Sequence, residues 1–277
     1  MTGMTPTSAL LFPGQGSHSD GMHEPFAEHP FLRRGIELLG FDPFDSLAEG
    51  TRSQQPALFL CSMAQWASPE TDALDPLAAA GHSLGEYAAL TAAGAIDFDD
   101  GVRLVGARAA AMADAAALQP GGMVAMLGGD RDDVEDLAEQ LGLSLANDNA
   151  PGQIVLSGAM EAVDEAVQRA AAIGCRRARK LDVAGAFHSP LMAPAADRLS
   201  EALAQTPVRE PAFPVLSNGS TQPFEDVRRE LAENLLKPVR WREILLELQV
   251  RGATEFVECG PGSVLKGLVK RTLKAVA

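Results

Sequence analysis

Gly81-His82-Ser83-Leu84-Gly85 carries the clearest chemical signal in the chain. A serine set between glycines in a G-x-S-x-G spacing suits a sharp strand-to-helix turn. The glycines leave room beside the serine, and the turn lifts its hydroxyl out at the carboxyl edge of a sheet. The helix that follows places amides and a dipole where an oxyanion would develop. The amide of Leu84 is the natural first oxyanion donor. A second is expected from the loop after the first strand, near Gln15. A serine hydroxyl is a weak nucleophile without a base. The chain offers His18, His23, His29, His82 and His188. His188 opens a loop just before a helix and is the best base candidate, with a satisfied loop histidine as the alternative. His82 reads as structural, pointing away from its neighbour, and His23 and His29 read as surface residues. Asp182 lies six residues before His188. That much loop does not reliably bring a carboxylate to the imidazole. Arg108 sits in an Ala-rich helix, where solvation is the ordinary outcome. If buried, it must face a carboxylate or similar anion. Arg103 is five residues away from it and so faces another side.

The elements that position these residues follow from hydrophobic rhythm and breakers. Residues 8–12 read as a short buried strand, ended by the loop Pro13-Gly14-Gln15-Gly16-Ser17-His18. Residues 24–50 read as short helices broken at Pro30, Gly40 and Pro43, and 54–67 as a helix. A strand over 77–81 runs into Ser83, and helices follow over 84–93 and 98–118. The rhythm then changes: strand 123–127, helix 130–141, strands 143–147 and 153–157, helix 160–173 and strand 176–181. That β-α-β-β-α-β order is the ferredoxin-like arrangement. It predicts a small inserted domain over 119–186. The first rhythm resumes with helices over 191–204, 226–236 and 240–250, strands over 213–216 and 255–258, and a last helix ending near residue 273. The fold class expected is α/β, with an α/β-hydrolase-like large domain over 1–118 and 187–277 built on a parallel sheet.

At 46% hydrophobic residues, the 277-residue chain can build a substantial core, so it is globular rather than disordered. Its apolar stretches are too short to span a bilayer. Residues 1–9 show no basic start followed by an apolar run, so no secretory signal is expected. Cys61, Cys175 and Cys259 form no C-x-x-C pair. They read as buried thiols in a reducing, cytoplasmic compartment. Cys259, beside Gly260-Pro261-Gly262, is the alternative nucleophile, but no base is evident near it. The net charge of −14 argues against nucleic acid as a partner. The charge is uneven: residues 1–100 hold 3 basic and 14 acidic side chains, whereas 171–277 hold 16 and 12. An acidic partner would meet less repulsion on the second half. The basic stretches at 176–180 and 266–274 are the candidates there, with a plain solvated face as the alternative.

Together these residues resemble the malonyl-CoA:acyl carrier protein transacylase family and the related acyltransferase domains of polyketide synthases. The likeness runs over about residues 9–273. It rests on FPGQGS at 12–17, GHSLGEY at 81–87, Arg108 25 residues past the serine, and NAPGQIVLSG at 149–158. FHSPLM at 187–192, PVRW at 238–241 and ECGPGSVLKGL at 258–268 complete it. The resemblance implies that Ser83 is acylated by malonyl-CoA and passes the malonyl group to the phosphopantetheine thiol of acyl carrier protein. It implies His188 as general base and then acid, Gln15 and the Leu84 amide at the oxyanion hole, and Arg108 paired with the malonyl carboxylate. A backbone carbonyl at Asn234 would orient His188. It implies no cofactor, no metal and no membrane, and a monomer serving fatty-acid synthesis. Asn234 stands where glutamine is common in the family, and His18 where the opening loop usually has glutamine. Phe187 keeps the residue associated with malonyl rather than branched acyl groups. Two rivals stay open: a serine hydrolase such as an editing thioesterase, and a non-enzymatic scaffold. Service to a polyketide or malonate decarboxylase system is a third.

Overall fold

A computed structural model describes residues 7–69, 71 and 74–275. Residues 1–6, part of the stretch without a secretory pattern, lie outside the described residues. The chain opens with β1 (Ser8–Phe12), α1 (Pro30–Leu39), α2 (Thr51–Trp66), β2 (Ala78–Gly81), α3 (Gly85–Ala92) and α4 (Phe98–Leu118). It continues through β3 (Gly122–Leu127), α5 (Arg131–Leu141), β4 (Ser144–Ala150), β5 (Gln153–Gly158), α6 (Met160–Arg169) and β6 (Arg177–Lys180). It closes with α7 (Ala193–Ala204), β7 (Val215–Leu216), α8 (Val227–Glu233), α9 (Trp241–Val250), β8 (Glu255–Glu258) and α10 (Val264–Lys274). This is an α/β fold with one parallel and one antiparallel sheet.

The parallel sheet has the order β7-β2-β1-β8. Every residue of β1 and β2 is buried, as strands covered on both faces require. Leu10, Phe12 and Ala79 join one apolar cluster, while Ala9, Leu11, Ala78 and Ala80 join another on the opposite face. The alternation is the period of two expected of a strand. Phe12 pairs with Gly81, and Leu11 with Glu258, so β1, β2 and β8 end at one edge. The loops leaving that edge are the three glycine-rich motifs: the opening loop, the serine turn and Gly260-Pro261-Gly262.

The second sheet has the order β4-β5-β3-β6, with every neighbour antiparallel. α5 and α6 pack on it around a separate core that includes Val124, Leu137, Leu156 and Val163. Several element bounds differ from expectation. The 24–50 region holds α1 between two single 3-10 turns, Glu24–Phe26 and Leu47–Glu49. The helix expected over 160–173 tightens to 3-10 after Arg169. α8 stops at Glu233, and residues 234–236, expected to be its last turn, form a turn outside the helix. Val239 beyond it bridges β4 at Asn147, and β4 runs past its expected end by pairing with β5 as far as Ala150.

Candidate active site

The serine turn is built by three glycines that interlock. A Cβ on Gly81 would lie 1.8 Å from the carbonyl carbon of Gly85, and one on Gly85 would lie 2.1 Å from the Phe12 oxygen. A Cβ on Gly14 would lie 2.3 Å from the His82 oxygen. Real contacts of that kind do not fall below 3 Å, so only glycine lets β1, the turn and α3 meet. Ser83 itself is held at φ 51°, the left-handed region. Its amide donates to the Asn218 side-chain oxygen at 2.7 Å, and the Asn218 amide nitrogen donates to the Gly81 carbonyl at 2.7 Å.

The Ser83 hydroxyl lies 2.8 Å from His188 Nε2. His188 is 5% exposed and also sits in the left-handed region, at φ 57°. Its loop is fixed by the Ser189 hydroxyl, which donates to the Ala186 carbonyl at 2.7 Å and accepts from the Leu191 amide. His188 Nδ1 lies 2.9 Å from the Asn234 carbonyl and 3.0 Å from the Lys237 carbonyl. Carbonyls only accept, so Nδ1 carries the proton and Nε2 is the free base facing the serine. Burial, and then the nearby Arg108 charge, push the imidazole down to about 4, which keeps it neutral and ready to accept.

Arg108 is 4% exposed, not solvated. One guanidinium nitrogen donates to Ser83 Oγ at 2.9 Å, and another donates to the Gln55 side-chain oxygen. The guanidinium carbon lies 5.6 Å from the Tyr87 ring centroid, within reach of a cation–π interaction. Among the described residues no carboxylate stands within ion-pair distance of Arg108, in contrast to Arg103, which pairs with Asp99 and Asp100 on the surface. A buried cation without a counter-ion next to a nucleophile is a receptor for an anion.

Ser83, Arg108, Leu84, Gln15 and His188 line one cavity of about 210 Å³, closed on the other side by Met123, Asn147 and Val155 of the second sheet. The amides of Leu84 and Gln15 have no acceptor among the described residues. The Gln15 side chain is engaged, donating to Gln54 and accepting from Thr51, both at 2.8 Å, which leaves its backbone amide as the uncommitted donor among the described residues. His18 stands on the cavity wall. Asp182 does too, but it makes no bond to His188, whose Nδ1 is taken by the two carbonyls.

The remaining candidates resolve away from chemistry. His82 Nε2 bonds Asn149 Oδ1 at 2.7 Å and its ring meets Trp241 edge-on. His23 and His29 are half-buried rather than surface residues: the first stacks on Phe44, and the second accepts from the Phe31 amide as the cap of α1. Cys259 is fully buried and its thiol is pushed up to about 12, so it is no nucleophile. Four partners were missed by the sequence reading. Gln55 and Glu86 are polar residues in apolar helices, a pattern that marks buried function. Asn218 and the Lys237 carbonyl left no such mark, because one lies in an ordinary turn and the other is main chain.

The acyl transferase domain family matches residues 41–277. A malonyl CoA-acyl carrier protein transacylase of Bacillus subtilis is 39% identical over 97% of this chain and 92% of its own length. The chain belongs to the malonyl-CoA–acyl carrier protein transacylase family. An acyl carrier protein S-malonyltransferase from Vibrio cholerae superposes on it with a TM-score of 0.90 at 34% identity, covering 97% of this chain and 94% of that one. A malonyl-transacylase solved in complex with a type II polyketide synthase acyl-carrier protein gives 0.92 at 34% identity, over 97% and 93%. No helix of this transacylase-family chain, among the described residues, is long and apolar enough to cross a membrane.

Proposed function

We propose that this protein transfers a malonyl group from malonyl-CoA to the phosphopantetheine thiol of an acyl carrier protein, supplying fatty-acid synthesis. The observation that carries the reading is Arg108: a buried guanidinium with no ion-pair partner among the described residues, hydrogen-bonded to the nucleophile. The malonyl carboxylate is the anion it would receive, bidentately. With the guanidinium occupied, the thioester carbon falls beside Ser83 Oγ. His188 Nε2 takes the hydroxyl proton as Oγ attacks, and the tetrahedral oxyanion lies against the amides of Leu84 and Gln15. The C–S bond breaks, and the CoA thiolate takes the proton back from His188. In the second half His188 deprotonates the carrier thiol, which attacks the ester and releases Ser83 with its proton restored. The Asn234 carbonyl holds the imidazole in the required tautomer throughout.

The chemistry needs no metal or cofactor. A small domain over 119–186 reads as ferredoxin-like, supported by its strand order, and residues 1–118 with 187–277 as an α/β-hydrolase-like catalytic domain. The protein is proposed to act as a cytoplasmic monomer. The test is intact-mass detection of a malonyl adduct on Ser83, followed by transfer to holo carrier protein. Arg108→Ala should lower kcat/KM for malonyl-CoA by at least ~100-fold, about 3 kcal/mol, while acetyl-CoA use holds or rises. Free malonate in place of malonyl carrier protein would make it a hydrolase. Equal loss with both substrates would remove Arg108 from the carboxylate site.

A further inference from the structure

We propose that Glu86 is a positioning residue for this reaction, a single buried acceptor that keeps the serine turn and the histidine's carbonyl in one register. The inference rests on the proposed transfer and adds a part to it. Glu86 lies on α3, three residues past the nucleophile, and is 2% exposed. One of its oxygens, Oε1, accepts from the Asn218 amide at 2.7 Å and from the Asn234 side-chain nitrogen at 2.9 Å. Each partner leads to a different half of the site. Asn218 accepts from the Ser83 amide and donates to the Gly81 carbonyl, so it sets the turn from which the hydroxyl projects. Asn234 presents the carbonyl that holds His188 Nδ1, and its side chain is tied to Glu86 and to the Ser217 hydroxyl.

Ser83 and His188 come from segments 105 residues apart. Their 2.8 Å contact depends on two left-handed residues staying where their loops hold them. Among the described residues no carboxylate bonds His188, whose Nδ1 is taken by two carbonyls. The acid in this site instead acts one step back, on the loop carbonyl that the imidazole leans on. The Asn234 side chain therefore does work that its main-chain carbonyl alone does not. Acceptance at Oε1 needs an oxygen and not a charge, which a glutamine also supplies. Burial raises the Glu86 carboxyl to about 8, and a protonated Oε2 would leave Oε1 free to accept.

The experiment compares Glu86→Leu, Glu86→Gln and Asn234→Leu in the full chain, reading the single-turnover rate of Ser83 malonylation by intact mass alongside steady-state kcat and KM. Glu86→Leu strands the buried Asn218 amide and leaves the Asn234 side chain only its Ser217 bond, and should slow acylation at least ~30-fold, about 2 kcal/mol. Its KM for malonyl-CoA should stay within about threefold, because the Arg108 hydrogen bonds to Ser83 and Gln55 do not involve Glu86. Glu86→Gln should restore the rate to within about threefold of the natural protein. Asn234→Leu keeps the carbonyl and loses only the tether, and should slow acylation about tenfold. It should add nothing further in the Glu86→Leu background. A natural rate in Glu86→Leu or Asn234→Leu overturns the proposal. So does a loss in Glu86→Gln equal to that in Glu86→Leu, or a KM that rises in step with the fall in kcat. If Glu86→Leu does not fold, Glu86→Gln and Asn234→Leu decide the matter. Failure of the unmutated protein to form the malonyl adduct would count instead against the proposed function.

Discussion

His188 decides the pH behaviour of the site. Its imidazole sits near 4 rather than the ordinary 6.5, because burial and the Arg108 charge both oppose a second positive charge. The free enzyme therefore keeps its base down to about that pH, and kcat/KM for malonyl-CoA should stay level from pH 7 to about 5, with its acid limb near 4. A malonyl carboxylate held at Arg108, as proposed, would offset its charge and relieve part of the opposition, so the acid limb of kcat should lie above that of kcat/KM. The same displacement acts on stability. The unfolded chain takes up a proton near 6.5 while the folded one waits until about 4, so stability falls as pH drops through that window and levels off below it. The loss is at most ~3 kcal/mol. His188→Ala should flatten that part of the stability profile in denaturant titrations. An acid limb of kcat/KM near 6.5 would mean that the imidazole is solvated in solution, against its burial in this structure.

The serine works because β1, β2 and α3 approach more closely than any side chain permits. Gly85→Ala would drive a Cβ to 2.1 Å from the Phe12 oxygen, and backbone is the one neighbour that cannot swing aside. We expect a loss of roughly 2 kcal/mol or more in folding free energy together with loss of Ser83 acylation. Full activity with unchanged urea denaturation would refute the interlock. This part of the site was legible in the sequence, because a glycine spacing between a buried strand and an apolar helix states a steric requirement. The bounds of β1 and α4 were legible for a similar reason: hydrophobic rhythm and a breaker at each end. The end of α8 was not: its rhythm runs on to residue 236, but 234–236 turn out of the helix, and Val239 beyond them exchanges backbone bonds with β4 at 2.8 and 2.9 Å, a partner nearly a hundred residues away. Long-range pairing of this kind leaves no local trace, which is why Lys237 and Asn218 escaped while Ser83, Arg108 and His188 did not. Arg108 could be singled out, but whether it was buried was settled by the packing of α2 and α4.

Across the whole molecule the second sheet is latched to the segment that carries the histidine's carbonyls. Asp148 on β4 is buried, and it pairs with Arg242 of α9 at 2.7 Å and Arg131 of α5 at 3.3 Å. The same sheet lines the cavity over Ser83 through Met123, Asn147 and Val155. The two basic stretches, separate in the sequence, meet at the turn between β4 and β5. Gly152 in that turn lies against Gly128, which in turn packs on Arg176, while Pro151 shares a groove with Lys270, Arg271 and Lys274 of α10. Arg271 also bonds the Gln153 side chain at 2.7 Å. The result is a cationic face on a chain whose net charge is −14. An acidic carrier protein would be attracted there, and steering of that kind acts on encounter and is screened by salt. Arg177 and Lys270 are both exposed, and neither lines the cavity. Reversing both charges should therefore raise the KM for carrier protein several-fold at low salt and leave the KM for malonyl-CoA unchanged. The difference between variant and natural protein should shrink as ionic strength rises from about 0.01 to 0.15 M, over which the screening length falls from about 30 to 8 Å. An unchanged carrier KM at low salt would place the docking surface elsewhere. A parallel rise in both KM values would mean that the reversal had disturbed the latch and the cavity behind it.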